Sequence, residues 1–119
     1  MNHEGKRYLK GEIYFADLEP AKGSEQGGSR PVIVFQNESV SKFTRTVIVI
    51  PLTTNLRRAT LPTCTFIPRG DGGLKEDSVA LCHQIRVMDS SRLMSFIGKL
   101  SEPYIAELDK VVNFTLDIR

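Results

Sequence analysis

Two runs rich in β-branched residues dominate the first half of the chain. They read RPVIVFQN (residues 30–37) and TVIVIPLTT (residues 46–54). Continuous apolar runs of this length and composition are typical of strands that are buried on both faces. Pro51 lies within the second run and has no N–H to donate, so we expect that strand to bend or to reach a sheet edge there.

The β pattern continues as far as residue 100. The further elements that it predicts are a first strand at 12–18 (EIYFADL), a half-exposed strand at 62–68 (PTCTFIP), a turn at 69–73 (RGDGG), one long strand at 77–89 (DSVALCHQIRVMD), a helical turn at 90–93 and a short strand at 96–100. Five or six short strands favour a small, strongly bent β-barrel, because a closed or nearly closed sheet exposes few strand edges.

The last part of the chain has a different period. Apolar residues recur there at spacings of three and four, at Ile105, Leu108, Val112 and Leu116. This spacing predicts an amphipathic helix, with Ser101 as its N-cap and Pro103 in its first turn. The predicted fold class is therefore mainly β with a C-terminal helix, in a single domain spanning residues 1–119.

A second stripe of this helix carries Tyr104, Val111 and Thr115. A helix that is apolar over more than one face can pack on its own barrel and also on a second copy of the chain. The stripe favours a homodimer, although burial of the helix within one chain explains it almost as well.

Composition excludes several classes of protein. A hydrophobic content of 40% and a charged content of 25% are typical of globular domains. No apolar run approaches the ~20 residues of a membrane-spanning helix, and the charged start, MNHEGKRYLKG, is unlike a signal peptide. We therefore expect a cytoplasmic protein that has no membrane partner.

The metal-binding potential of the sequence is low. Cys64 and Cys82 each lie in an apolar or β-rich run, which predicts small core residues. The two histidines are His3 and His83, and these four residues show no ligand-pair spacing. The sequence predicts no structural metal.

A glycine-rich loop, GSEQGGSRP (residues 23–31), separates the first two strands. A tight hairpin needs only about two to five loop residues, so this loop favours a working surface over a simple connection. Its glycines let the backbone approach a ligand closely, and Arg30 stands where the loop becomes strand. We expect a mobile loop beside an arginine that the strand fixes in place.

Several segments together resemble one family. GEIYFADLEPAKGSEQGGSRPVIVFQN (11–37), VIVIPLTTN (47–55), LPT (61–63) and DSVALCHQIRVMD (77–89) resemble, in order and spacing, the MazF/PemK/Kid toxins of type II toxin–antitoxin pairs. The resemblance implies a homodimeric SH3-like barrel, a fold shared with CcdB. It also implies cleavage of single-stranded RNA such as mRNA at short sequences, without metal or cofactor, and inhibition by a cognate MazE-like antitoxin.

The resemblance assigns the catalytic residues. The family's arginine before the loop proline falls on Arg30, and its threonine at the end of the third strand falls on Thr53. Arg30 suits stabilisation of the transition state better than proton abstraction, because a guanidinium stays charged. Thr53 is expected to donate its hydroxyl to a phosphate oxygen. Glu25 is a candidate base or a residue that orients Arg30, and its alternative role is to structure the loop through backbone N–H groups.

The chemistry that these residues suit is attack of a 2′-OH on the neighbouring phosphorus. The expected products are a 2′,3′-cyclic phosphate and a 5′-OH. A pair of histidines normally shares the two proton transfers. That arrangement is not expected here, because His3 lies near the chain start and His83 is alone; we expect His83 to be packed or solvent-facing.

Other residues are expected to bind RNA. They are Gly27, Gly28, Ser29, Asn37, Arg45, Thr54, Ser78, Gln84 and Arg86. Gln84 could instead satisfy a buried backbone group, and Arg86 could instead pair with Asp77 or Asp89. The basic residues between 42 and 75 form either a solvated face or a surface for an acidic antitoxin segment.

Two other functions remain open from the sequence. A CcdB-like gyrase poison would rely on a tryptophan near the C-terminus, and this chain has no tryptophan. The second is a non-catalytic RNA-binding barrel, which only an assay of RNA cleavage can exclude.

Overall fold

The computed structural model describes residues 6–119, so His3 lies outside the described part of the chain. Within that range the chain forms seven strands and one α-helix. They are β1 (Glu12–Asp17), β2 (Ser29–Val34), β3 (Thr46–Thr53), β4 (Cys64–Ile67), β5 (Ser78–Leu81), β6 (Arg86–Asp89), β7 (Leu93–Lys99) and α1 (Glu102–Leu116). The predicted class, mainly β with a C-terminal helix, is confirmed.

All strand pairs are antiparallel, in the order β4-β5-β3-β2-β1-β7, with β6 also paired to β3. Within residues 6–119, β7 pairs only with β1 and β4 only with β5, so the strongly bent sheet does not close into a complete barrel. The architecture agrees with the predicted fold, and the sheet stays open.

Strand β3 is shared by two parts of the sheet. One of its edges pairs with β2, while the other pairs first with β6, up to Val49, and then with β5, from Leu52 onward. Pro51 lies where this second edge changes partner. The missing proline N–H therefore falls at the change of partner. The sheet edge that the sequence offered as one alternative is not reached there, because Leu52 and Thr53 still pair with β5.

The prediction of one long strand at 77–89 is wrong. It is divided into β5 and β6 by a 3₁₀ turn, Cys82–Gln84, in which the Ile85 N–H donates to the Cys82 carbonyl at 3.2 Å. Alternation of apolar residues continues on both sides of the turn, so the pattern in the sequence carried no sign of it.

Two apolar cores lie on opposite faces of the sheet, as the alternation of side chains along a strand requires. The first lies beneath α1 and includes Ile13, Ile33, Ile50, Leu52, Ile105, Leu108 and Val112. The second includes Tyr14, Ala16, Val32, Val34, Val47, Val49 and Met88. The helix thus covers one face only.

Three of the four apolar residues predicted to face the core from α1 are buried, and the fourth, Leu116, is exposed. The helix ends at Leu116, and Asp117 follows in the left-handed conformation with φ 57°. In the second stripe, Tyr104 and Val111 pack against the first core. This contact favours burial within one chain as the explanation of that stripe.

Ser101 occupies the N-cap position of α1, as expected, but its side chain does not cap the helix. Its hydroxyl donates to Asp71 Oδ2 at 2.6 Å, and its N–H donates to Asp71 Oδ1 at 2.9 Å. These bonds join the start of the helix to the turn after β4.

The cysteines are buried and free, as predicted. Burial raises the pKa of Cys64, and burial together with the nearby Cys64 raises the pKa of Cys82 to about 12. Both groups are therefore neutral thiols near neutral pH. None of the helices in residues 6–119 is long and apolar enough to cross a membrane.

Candidate active site

The loop between β1 and β2 is held by side chains that accept from its own backbone. Glu19 accepts from the N–H groups of Ala21 and Gly28, at 3.3 and 2.5 Å. Glu25 Oε1 accepts from the Lys22 N–H at 2.9 Å. These bonds give the glycine-rich loop a hydrogen-bonded structure of its own.

Two glycines of the loop are required by its geometry. Gly28 has φ +75°, a conformation that residues with a Cβ rarely adopt. A Cβ on Gly27 would lie 2.7 Å from Glu19 Oε2 and 2.8 Å from Ala21 Cβ. Packing within the loop is thus sufficient to explain Gly27, and Ser29 follows at the exposed start of β2.

Arg30 is half-buried, and its guanidinium is held on one side. Its Nε donates to the Gly27 carbonyl at 2.7 Å. With the Gln26 amide oriented so that its oxygen faces the guanidinium, that oxygen accepts from Arg30 Nε at 2.7 Å and from Nη1 at 3.2 Å. The remaining guanidinium N–H groups stay available for a phosphate, whose geometry they match.

Gln84 holds the same loop through its backbone. Its Oε1 accepts from the Gln26 N–H at 2.6 Å, and its Nε2 donates to the Ser24 carbonyl at 3.2 Å. Both ends of the amide are therefore engaged by backbone groups of the loop. The contacts follow the backbone-satisfying alternative that the sequence left open for Gln84.

Thr53 faces Arg30 when the β2–β3 register is extended past its last pair. β2 and β3 pair as Val32 with Pro51, Ile33 with Ile50 and Val34 with Val49. Continuing this register two residues past the last pair sets Arg30 across from Thr53, on the same face of the sheet. The two predicted catalytic residues thus come from strand ends that are neighbours.

The Thr53 hydroxyl has one role already assigned. The residue is 8% exposed, and its Oγ1 accepts from the Asn55 N–H at 3.2 Å. Because a hydroxyl has one O–H donor besides its acceptor sites, Thr53 keeps a donor for a substrate oxygen.

A groove of about 380 Å³ begins directly beside these residues. Its lining includes Phe15, Pro31, Thr54 and Ser78. A second, more open depression of about 540 Å³ shares Thr54 and contains the cations Arg69 and Lys75 together with the acids Glu76 and Asp77. Ser78 is mostly buried, and its hydroxyl donates to the Glu76 carbonyl at 3.0 Å.

A third cleft, of about 330 Å³, is lined by Glu25, His83, Gln84, Ile85 and Arg86. Within residues 6–119 the ion pairs are Arg7 with Glu38 and Lys10 with Asp109, so Arg86 pairs with neither Asp77 nor Asp89. Those carboxylates accept instead from the N–H groups of Arg69 and Ser91. The ion-pair alternative for Arg86 is therefore wrong.

Asn37 and Arg45 lie far from the other candidates within one chain. Asn37 caps a 3₁₀ turn after β2, where its Oδ1 accepts from the Ser39 N–H at 2.8 Å. Arg45 directly precedes β3, whose eight residues separate it from Thr53 by roughly 26 Å at the usual rise per residue. One chain does not bring these two residues to the site around Arg30.

Comparison with known proteins identifies the chain. Residues 9–116 match the family described as PemK-like, MazF-like toxin of type II toxin-antitoxin system. An Endoribonuclease MazF of Staphylococcus epidermidis is 40% identical over 109 residues, which cover 92% of this chain and 91% of that protein. The chain belongs to the PemK/MazF toxin family.

Solved structures show the same fold. MazF from Deinococcus radiodurans matches with a TM-score of 0.81 at 22% identity, covering 95% of this chain and 99% of that one. A mycobacterial endoribonuclease, solved in complex with its cognate antitoxin, matches with a TM-score of 0.78 at 21% identity, covering 93% and 96%. The predicted family and, through the relatives, the predicted class of enzyme, an endoribonuclease, are confirmed.

In this PemK/MazF chain, His83 takes no part in the hydrogen bonds that connect Arg30, the glycine-rich loop and Gln84. His83 is exposed, and its Nδ1 lies 3.0 Å from Thr63 Oγ1. In the described part of the chain, no three His, Cys, Asp or Glu side chains cluster closely enough to hold a metal ion.

Sequence reasoning missed Gln26 and Glu19. The structure gives the contact with Arg30 to Gln26 and Gly27, and Glu25 contacts the Lys22 backbone instead. Glu19 was hidden because a carboxylate beside a proline is ordinary in a loop. Gln26 lies between a charged residue and a glycine, and no local pattern marks it.

Proposed function

We propose that this chain is a toxin that cuts single-stranded RNA such as mRNA at specific short sequences, without a metal ion. It acts as a single domain over residues 1–119, and a cognate antitoxin restrains it. The observation that carries the proposal is the facing register of Arg30 and Thr53 at neighbouring strand ends. The family membership of the chain supports the same activity.

The proposed reaction is an internal transfer at one phosphate. The 2′-oxygen bonds to phosphorus and gives up its proton, while the bond to the 5′-oxygen breaks and that oxygen gains a proton. The products are a 2′,3′-cyclic phosphate and a 5′-OH. Arg30 and Thr53 donate to the non-bridging oxygens, where negative charge grows in the transition state.

Glu25 is the proposed base. It is exposed in the cleft beside Gln84 and Arg86, and it belongs to the loop that positions Arg30. A carboxylate can accept the 2′-OH proton without the energetic cost of deprotonating a guanidinium. Arg86, which has no carboxylate partner among the described ion pairs, is a proposed phosphate contact.

The RNA is proposed to run from the loop into the groove beside β3. Backbone groups of Gly27, Gly28 and Ser29 border Arg30 on one side. Thr54 and Ser78 lie on the other side, where Phe15 offers a ring on which a base can stack. Arg69 and Lys75 supply positive charge for the next phosphates.

The proposed partners are an antitoxin and a second copy of the chain, in the cytoplasm. The mycobacterial relative solved with its cognate antitoxin supports the first. Exposed apolar side chains on β7 and at the end of α1, Phe96 and Phe114, support the second. Asn37 and Arg45 then become RNA contacts at a distance from the cut.

The test is cleavage of a long RNA of mixed sequence in EDTA, followed by mapping of the 5′ ends. Arg30→Ala should reduce the rate by about 10²–10³-fold, the loss typical of removing one oxyanion donor. Arg7→Ala is the matched control, because Arg7 is an exposed arginine in a surface ion pair.

Discrete cuts with 5′-OH ends that vanish only in Arg30→Ala would support the proposal. A requirement for magnesium would contradict the metal-free mechanism, and an active Arg30→Ala would contradict the site. If the folded wild-type protein does not cut, the chain is a binding toxin, and gyrase inhibition becomes the assay.

A further inference from the structure

Arg30 is connected to a distant part of the chain by consecutive hydrogen bonds. Gln84 ends the 3₁₀ turn between β5 and β6, and this turn begins at the fully buried Cys82. The Cys82 N–H donates to the Thr63 carbonyl at 3.0 Å. Gln84 therefore projects from a firmly packed base.

From that base, Gln84 fixes the loop backbone at two points. It accepts from the Gln26 N–H at 2.6 Å and donates to the Ser24 carbonyl at 3.2 Å. An amide that binds both a donor and an acceptor of a loop leaves that segment little freedom to shift. The segment it fixes is the one that carries the partners of Arg30.

The loop then fixes the guanidinium. In the amide orientation that turns the Gln26 oxygen toward Arg30, that oxygen and the Gly27 carbonyl both lie 2.7 Å from Arg30 Nε and share its single N–H. With Nε held, rotation of the guanidinium plane is restricted, and its outer N–H groups point in one direction. We propose that Gln84 and Gln26 are positioning residues that set the direction of the Arg30 guanidinium for catalysis.

This inference rests on the proposed function, because it requires Arg30 to act on the phosphate. It departs from the expectation that Gln84 binds RNA. Each polar end of its amide already makes one hydrogen bond to the loop, so only one N–H and one lone pair of Gln84 are left for a base.

The first test measures Gln84→Ala under single-turnover conditions, on an RNA with one mapped cut site. The rate should fall between about 10- and 100-fold, the usual consequence of a misplaced catalytic group. Affinity should stay within about twofold of wild type, measured on the same RNA with a 2′-deoxy nucleotide at the cut, which removes the nucleophile. Gln84→Glu keeps the acceptor for the Gln26 N–H and should recover part of the rate.

Gln36→Ala is the matched control. Gln36 also binds a backbone group, accepting from the Ile48 N–H at 2.9 Å, but it lies after β2, away from the loop. Its replacement should lower the melting temperature and leave the single-turnover rate within about twofold of wild type. Equal rate losses in Gln36→Ala and Gln84→Ala would mean that Gln84 is merely structural.

A double-mutant cycle links the effect to Arg30. If Gln84 acts through Arg30 and not through Glu25 in the same segment, its replacement should cost nothing further once Arg30→Ala is present. A further rate loss in the double variant, or a loss confined to affinity, would overturn the inference. Gln26→Ala provides the same test should Gln84→Ala fail to fold, because its side chain is assigned only the contact with Arg30.

The two possible failures are distinguishable. If Arg30→Ala cuts at the wild-type rate, the proposed function is wrong and the positioning role is lost with it. If Arg30→Ala is inactive while folded Gln84→Ala and Gln26→Ala cut at the wild-type rate, only the positioning role is wrong.

Discussion

The Thr53 hydroxyl can be tested almost in isolation. Thr53→Val keeps the β-branched shape that suits the end of β3 and removes only the polar atom. The structural cost is the loss of one acceptor for the Asn55 N–H, a 3.2 Å bond at an exposed residue. Because water can replace that acceptor, stability should fall by only about 0.5–1 kcal/mol, or about 2–4 °C in melting temperature.

The catalytic cost should be much larger. If the hydroxyl donates to a phosphate oxygen in the transition state, its loss removes about 3–4 kcal/mol of stabilisation, or about 10²–10³-fold in rate. Thr53→Ser retains the donor and should stay within about tenfold of wild type. The rate is measured in single-turnover cleavage of an RNA with one mapped site, and folding in a thermal melt followed by circular dichroism.

The comparison between the two variants decides the role. Equal rates in Thr53→Val and Thr53→Ser, together with a lower melting temperature in Thr53→Val alone, would show that the hydroxyl only holds Asn55. The catalytic assignment of Thr53 would then be refuted, whatever the result at Arg30.

Three further predictions concern the fold. Leu108→Ala should lower the free energy of unfolding in urea by about 2–5 kcal/mol, because the Leu108 side chain of α1 is fully buried in the first core. A loss under about 1 kcal/mol would contradict that packing. The Ser91 hydroxyl and N–H lower the pKa of Asp89 in the folded protein. The Asp89 carboxylate therefore stabilises the fold at any pH above its ordinary pKa, and this stabilisation is lost as the pH falls through the lowered pKa of the folded state. Asp89→Ala should therefore reduce the melting temperature at pH 7 and approach wild type in strong acid, whereas a deficit that is constant with pH would count against the assignment. Burial raises the pKa of Cys82 to about 12 and also raises the pKa of Cys64. An aromatic disulfide reagent at pH 8 should therefore label both thiols slowly in the folded protein and fully in denaturant. Rapid labelling of the folded protein would disprove the burial of these thiols.

The sequence predicted the strands best where local pattern and tertiary environment agree. The β-branched run that became β3 was predicted within one residue, and Pro51 marked the change of partner on its edge. The segment at 77–89 failed because its two halves pair with the same edge of β3 at different places. The turn between them is imposed by that long-range pairing, which leaves no mark on local alternation.

Of the candidate site, the sequence predicted only the charged residues and those that the family resemblance marks. Arg30 and Thr53 are recognisable from the resemblance, and the register brings them to facing positions. The contact between Gln26 and Arg30 depends on Gln84, which is 58 positions away in sequence. A neutral amide whose role arises from such a distant contact cannot be found from local spacing.

The shared strand β3 also determines when during synthesis the candidate site can first assemble. A chain made only as far as β4 already contains Arg30, Thr53 and the glycine loop. It lacks Val79, which pairs with Thr53, and Gln84, which holds the loop at Ser24 and Gln26. The end of β3 at Thr53 and the glycine-rich loop at Arg30 therefore lack their supporting contacts until β5 and the turn after it have been added. Under the proposed function, a ribosome making the toxin would therefore finish most of the chain before the product could cut the message being read.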